Sequence, residues 1–207
     1  MKKTLITGAI AGVVLMITSC TDHQVIPPPV PLVDLACLCE GTITTQNGDS
    51  SITYNDTCTF SSTKTINTGG LSTAEYQTQI QGASMTSGFE VDMRSIYWDD
   101  DGSNNPSSTD WQAYFNGNMN PAYSPTQAED GVVVRWTDPN GKIWVSDTGQ
   151  VCLSNFTYNL FTYDSDTTGE YMEFDAVLHG RMLNSDYTLD SSICFSNIHV
   201  KSAYRRE

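Results

Sequence analysis

Val132-Val133-Val134-Arg135-Trp136-Thr137-Asp138-Pro139-Asn140-Gly141-Lys142-Ile143-Trp144-Val145 is the stretch on which the reading of the fold turns. Val132, Val134 and Trp136 recur at the two-residue period of a strand, and Ile143 to Val145 resumes an apolar run. Between them, Asp138 before Pro139 suits a type I turn, and Asn140-Gly141 closes it with a glycine at positive φ. The stretch is a β-hairpin. The class of the whole chain then depends on how often the same alternation returns.

It returns on both sides. Towards the C-terminus, Cys152 to Tyr163 reads as a long strand, Asp164 to Gly169 as a turn, and Tyr171 to Met182 as the partner strand. In that partner Met172, Phe174, Ala176, Leu178 and Met182 share one face, while Glu173, Asp175, His179 and Arg181 share the other. Ile193 to Val200 makes a last strand before the basic end at Arg205-Arg206. Towards the N-terminus, Phe89, Val91 and Met93 alternate with Glu90, Asp92 and Arg94. Tyr76, Thr78 and Ile80 alternate with Gln77, Gln79 and Gln81. Ser72 and Glu75 also suit a helical capping box with Leu71 and Tyr76 as its staple, but the period favours a strand. Cys39, Gly41 and Ile43, the turn Asn47-Gly48-Asp49, and Ile52, Tyr54, Cys58 and Phe60 read as a further hairpin. Nine or ten short strands with little helix predict an all-β, antiparallel β-sandwich, immunoglobulin-like or jelly-roll-like, with a barrel as the alternative.

Between Trp98 and Asp130 the alternation lapses. The segment holds Asp99-Asp100-Asp101-Gly102, Asn104-Asn105-Pro106 and Asn116-Gly117-Asn118, interleaved with Trp98, Trp111, Tyr114, Phe115 and Tyr123. A long loop rich in aromatics is expected to be functional rather than disordered. Flat rings stack on the apolar faces of sugars while Asn, Asp and Gln bind hydroxyls, so Trp98, Trp111, Tyr114 and Tyr123 are the candidate glycan-binding residues; the competing reading packs these rings onto the edge of the sandwich.

Other chemistry is sparser. Glu173, Asp175 and His179 on one strand face, with His199 if its strand is a neighbour, would supply the carboxylates and imidazoles of a metal-dependent or acid–base hydrolase. Any solvated strand face needs the same alternation. Asp99 and Asp101 in one loop, and Asp164 and Asp166 in another, offer the closely spaced oxygens that calcium takes, although tight turns select the same residues. No serine sits in a G-x-S-x-G elbow. No cofactor other than calcium is suggested, and the chain is expected to bind rather than to catalyse.

The chain of 207 residues carries 24 acidic and 10 basic residues, a net charge of −14, which disfavours nucleic-acid partners. Charged residues are only 16% of the total, and ten Tyr with four Trp suit half-buried strands rather than an acidic tail. Of the six cysteines, Cys152 is expected to pair with Cys194, and Cys58 with either Cys37 or Cys39, leaving one thiol over. A metal site from Cys37, Cys39 and Cys58 lacks the spacing of zinc ligands.

The N-terminus bears on location. Lys2 and Lys3 precede an apolar run from Leu5 to Ile17, which is 13 residues and short of the roughly 20 a bilayer-spanning helix needs. Ile17-Thr18-Ser19-Cys20 then resembles the lipobox of bacterial lipoproteins, with Ile17 where leucine is commonest. The resemblance implies cleavage after Ser19 and lipidation of Cys20, with diacylglycerol on the sulfur and an acyl chain such as palmitate on the new amino terminus. Loss of Lys2 and Lys3 would take the net charge to −16. Thr21 rather than an aspartate follows the cysteine, so the outer membrane is the expected location, on either face. Pro27-Pro28-Pro29-Val30-Pro31 favours a stiff, extended spacer. The expected organisation is thus a signal peptide over 1–19, a lipid-anchored tether over 20–36 and a β-sandwich over 37–207, similar to small all-β surface lipoproteins. The role this implies is a binding or structural component of the envelope, with other envelope proteins or glycans as partners.

Overall fold

A computed structural model describes residues 32–45, 48–99, 103–124, 130–149, 152–184 and 192–206. The leader, Cys20, the proline run and Asp101 lie outside the described residues. Ten strands and one helix follow in order: β1 Leu38–Thr45, β2 Gly48–Tyr54, β3 Thr57–Thr65, β4 Leu71–Gln81, β5 Gly88–Asp99, α1 Ser108–Gly117, β6 Gly131–Thr137, β7 Ile143–Asp147, β8 Asn155–Asp166, β9 Gly169–Asn184 and β10 Ser192–Arg206. All strand pairs are antiparallel, in the order β2-β1-β10-β9-β7-β6-β5-β4-β3, with β8 also on β9. The long β9 explains the branching. Its Gly169–His179 stretch pairs with β8, and Arg181–Asn184 pairs with β7 on the same edge.

The sheet folds over at that junction, so that β3-β4-β5-β6-β7 faces β2-β1-β10-β9-β8. Polar side chains stitch the two layers where they face each other: Thr78 Oγ1 lies 2.6 Å from Ser202 Oγ, and Trp136 Nε1 donates to Tyr54 Oη at 2.9 Å. The protein is the antiparallel β-sandwich that the alternation predicts. β4 buries Ser72, Ala74, Tyr76, Thr78 and Ile80 and turns its glutamines outward, which settles that segment as strand rather than helix. The β6–β7 hairpin is also as read: Gly141 has φ of 81°, its N–H donates to Asp138 O, and Asp138 Oδ1 accepts from the N–H groups of Asn140 and Lys142.

Beside the junction the layers would gape, because β7 covers only the far end of β6. Residues 119–124 close that side. Tyr158 N donates to Met119 O on one layer, and on the other Val132 N and Ser124 N bond with Ala122 O and Val132 O. The resulting bridge between Tyr123 and Val132 is parallel, an isolated exception to the antiparallel pattern. Gly131, at φ of 122°, lets the chain turn into β6 against Ala122.

The expectation of an irregular loop over 98–130 is corrected in part. Ser107 caps a helix by accepting from Asp110 N at 3.1 Å, and Trp111 and Phe115, four residues apart, lie on one face of it. That face enters the open end of the sandwich. Trp111 meets Phe115 at 5.4 Å and Tyr76 at 5.8 Å, and Phe115 stacks on Tyr204 at 5.0 Å. Behind them Tyr204 stacks on Phe174, and its hydroxyl lies 2.7 Å from that of Tyr158.

Cys152 bonds to Cys194 and Cys37 to Cys58, while Cys39 is free and buried. Of the two partners open to Cys58, then, it is Cys37 and not Cys39 that is taken. Cys39 lies inside β1 opposite Val200, whereas Cys37 precedes the strand and meets Cys58 where Cys58 Sγ is 3.5 Å from Ser202 Oγ. The bridges span 21 and 42 residues, for which chain entropy gives about 3 and about 4 kcal/mol of stabilisation.

Removing the ring that joins helix to sandwich should be costly. Phe115→Ala is expected to lower the unfolding free energy by about 3–5 kcal/mol, read as a shifted midpoint in urea.

Candidate functional site

The four aromatics predicted to face a ligand are engaged in packing. Trp111 is fully buried and Trp98 is 6% exposed. Tyr123 is buried, with its hydroxyl donating to the carbonyls of Asn155 and His179, and half-buried Tyr114 donates to Arg94 O. The proposed stacking surface of Trp98, Trp111, Tyr114 and Tyr123 is therefore corrected: the helix turns two of these rings inward, and the closing segment 119–124 turns in another. The spacing of Trp111 and Phe115 behind a Ser107 cap was the signal in the sequence.

Of these four rings Trp98 lines a cleft of about 660 Å³ at the end of the sandwich. One wall is the end of β4 and β5, where Leu71 and Tyr97 are exposed; the other is the loop 103–107 and the first turn of α1. Local bonds shape that loop. Ser103 Oγ donates to Asn105 O at 2.7 Å, Ser107 Oγ donates to Asp110 Oδ2 at 2.6 Å, and Trp98 Nε1 reaches Ser103 O at 3.5 Å. Arg206, the cation on the cleft, donates through Nε and Nη2 to Pro106 O and through Nη1 to Glu170. Tyr97 Oη donates to Asp130 Oδ1 at 2.8 Å, and this bond raises the phenol's pKa above its ordinary value.

The strand face chosen for acid–base chemistry is only partly assembled. Lys201 stands opposite Asp175 and His199 opposite Val177, which brings His199 Nε2 to 3.0 Å from Asp175 Oδ1. Asn159 Nδ2 also donates to Asp175, and Lys201 Nζ is 3.5 Å away. Burial raises the pKa of Asp175, but the bonds from Asn159 and His199 outweigh it and hold the group below its ordinary value. Glu40, which the sequence reading left out, lies 3.9 Å from His199 Nδ1. His179 is occupied elsewhere, accepting from Asn197 N, and Glu173 bonds with neither histidine. Burial, with Asp164 and Asp34 nearby, raises Glu173 instead. His199 and Asp175 are 30% and 28% exposed, and Asp175 shares with Glu173 and Lys201 the lining of a pocket of about 180 Å³.

The acidic loop over 164–169 acts on backbone groups. Asp166 Oδ1 accepts from Thr168 N at 2.6 Å and Gly169 N at 3.2 Å, which builds the β8–β9 turn, and Oδ2 accepts from Val33 N at 2.9 Å. Asp164 accepts from Ser165 N, and Asp99 lines the cleft. Among the described residues, no three His, Cys, Asp or Glu side chains are grouped to hold a metal.

The Thr168 hydroxyl and the Val33 N–H lower the pKa of Asp166 to about 2. A carboxyl lowered from its ordinary value of about 4 contributes fully above that value and loses its contribution as pH falls towards 2. Its carboxyl carbon should titrate by NMR at about pH 2. Asp166→Asn should speed hydrogen exchange at Val33 while the sandwich amides stay protected.

Comparison with protein-family models, with curated proteins and with solved structures finds no match in any of the three.

Proposed function

We propose that this protein is an outer-membrane lipoprotein, held through Cys20, whose sandwich works by binding at the envelope surface rather than by turnover. The observation that carries the reading is where the sandwich is fastened to what precedes it. Cys37 is bonded to Cys58 at the start of β3, in the opposite layer from β1, and Val33 is bonded to the β8–β9 turn. A pull arriving through residue 32 would thus be borne by a covalent cross-layer link before it reached the hydrogen bonds of β1. That arrangement suits a domain on a leash. Two disulfides also suit an exported chain, since they persist in oxidising compartments.

Lipid on Cys20 would confine the domain to a surface. There its effective concentration towards other envelope proteins or glycans is high, and modest contacts suffice. The end that holds Val33 is also the end with the cleft, because Arg205 bonds Thr168 O in the β8–β9 turn and Arg206 links Glu170, at the start of β9, to Pro106 at the cleft's rim.

The decisive variant is Cys20→Ser. It should abolish incorporation of labelled palmitate, leave the leader uncleaved and move the protein out of the detergent phase; unchanged partition would overturn the proposal.

A further inference from the structure

The cleft of about 660 Å³ falls within the range of small-ligand sites and is walled by an unusual combination of groups. Tyr97 is 50% exposed and Leu71 is 56% exposed, and they sit diagonally across the β4–β5 pair, where Leu71 is opposite Asp99 and Thr73 opposite Tyr97. They form an apolar lip. The Tyr97 ring is also held in place, since its hydroxyl is fixed by Asp130. Across the cleft stand the uncharged polar side chains of Ser103, Asn104 and Asn105. Asn105 Oδ1 is buried and has no hydrogen-bond partner among the described residues.

The charges narrow the ligand class. Arg206 is consumed by Pro106 O and Glu170, so among the described residues the cleft offers no open cation to a phosphate or carboxylate. Asp99 and Asp110 face in from either side and would repel an anion. A ligand with one apolar face, many hydroxyls and no negative charge meets all of these groups at once.

We infer that this cleft binds a neutral saccharide, with Tyr97 as the stacking face, Leu71 beside it, and Asn104, Asn105 and Asp99 bonding hydroxyls. The inference rests on the binding role proposed above and gives it a ligand class. Sugar C–H groups, slightly positive, settle on the electron-rich ring face, and the fixed ring avoids the entropy of ordering it on binding. Asp99 accepts from hydroxyls here; it is not required as a charge.

The test uses the full chain, purified in a zwitterionic detergent without a sugar headgroup. Neutral gluco-, galacto-, manno- and xylo-oligosaccharides are titrated to millimolar concentration by calorimetry and by tryptophan fluorescence, for which Trp98 in the cleft wall is a reporter. At least one series should bind saturably. Tyr97→Ala should then weaken it about tenfold, the scale of a lost ring contact, with the thermal midpoint unchanged. Added salt should leave the affinity alone. Absence of binding by all four series would overturn the inference, as would affinity indifferent to Tyr97→Ala. Binding confined to a cationic oligolysine and lost in Asp99→Asn would overturn it in favour of a basic ligand. Palmitate labelling of Cys20 is read separately, so either proposal can fail while the other stands.

Discussion

The packing of Trp111 and Phe115 between the layers is the contact on which the rest of this structure depends. A sandwich of two curved layers is open at its ends, and here the core rings Tyr76, Tyr204 and Phe174 approach that opening. The helix face fills it with edge-on and stacked rings, geometries that add attraction beyond the area they bury. Because the same helix begins at Ser107, the plug also fixes one wall of the cleft. Interior packing and exterior shape are two sides of one element.

A second constraint is the alternation of the strands themselves. On β5 the face opposite Phe89, Val91 and Met93 carries Glu90, Asp92 and Arg94, and of these Asp92 and Arg94 are buried. The structure answers with local pairing: Arg135 bonds Glu90 and Asp92, buried Arg94 bonds Asp92 at 2.7 Å, and Arg181 bonds Asp147. His199 with Asp175 belongs to the same pattern. Truncating either arginine of the first group would strand a carboxylate in a site with little water, which is where charge removal is expensive.

Elements whose signal is local were legible in the sequence. The β6–β7 hairpin could be placed because Asp138, Asn140 and Gly141 carry the turn within five residues, and β4 because its glutamines mark a wet face. The pairing of Asp175 with His199 was only conditional, since it needed β9 and β10 to be neighbours, a fact of topology. The choice between Cys37 and Cys39 was likewise undecided, because both lie on the core side of one chain segment and only the position of β3 separates them. Helix α1 was missed for another reason. Prolines, asparagines and glycines on both sides read as loop, and Trp111 stood among the candidate ligand-facing rings without its i to i+4 spacing to Phe115 being used. Tyr97, by contrast, carried no mark beyond strand alternation; its prominence comes from the loop that rises opposite it.

The place of β10 in the sheet has a consequence in time. Among the described strands it is made after the other nine, yet it lies between β1 and β9, and β1 has no other partner there besides β2. A two-stranded ribbon is marginal in water by itself. The β1–β2 hairpin must therefore wait for its sheet neighbour until β10 has been made, and pairing across so long an interval of chain is slow. Order of synthesis alone thus postpones the docking of that ribbon, while β3 to β7 find their partners among themselves.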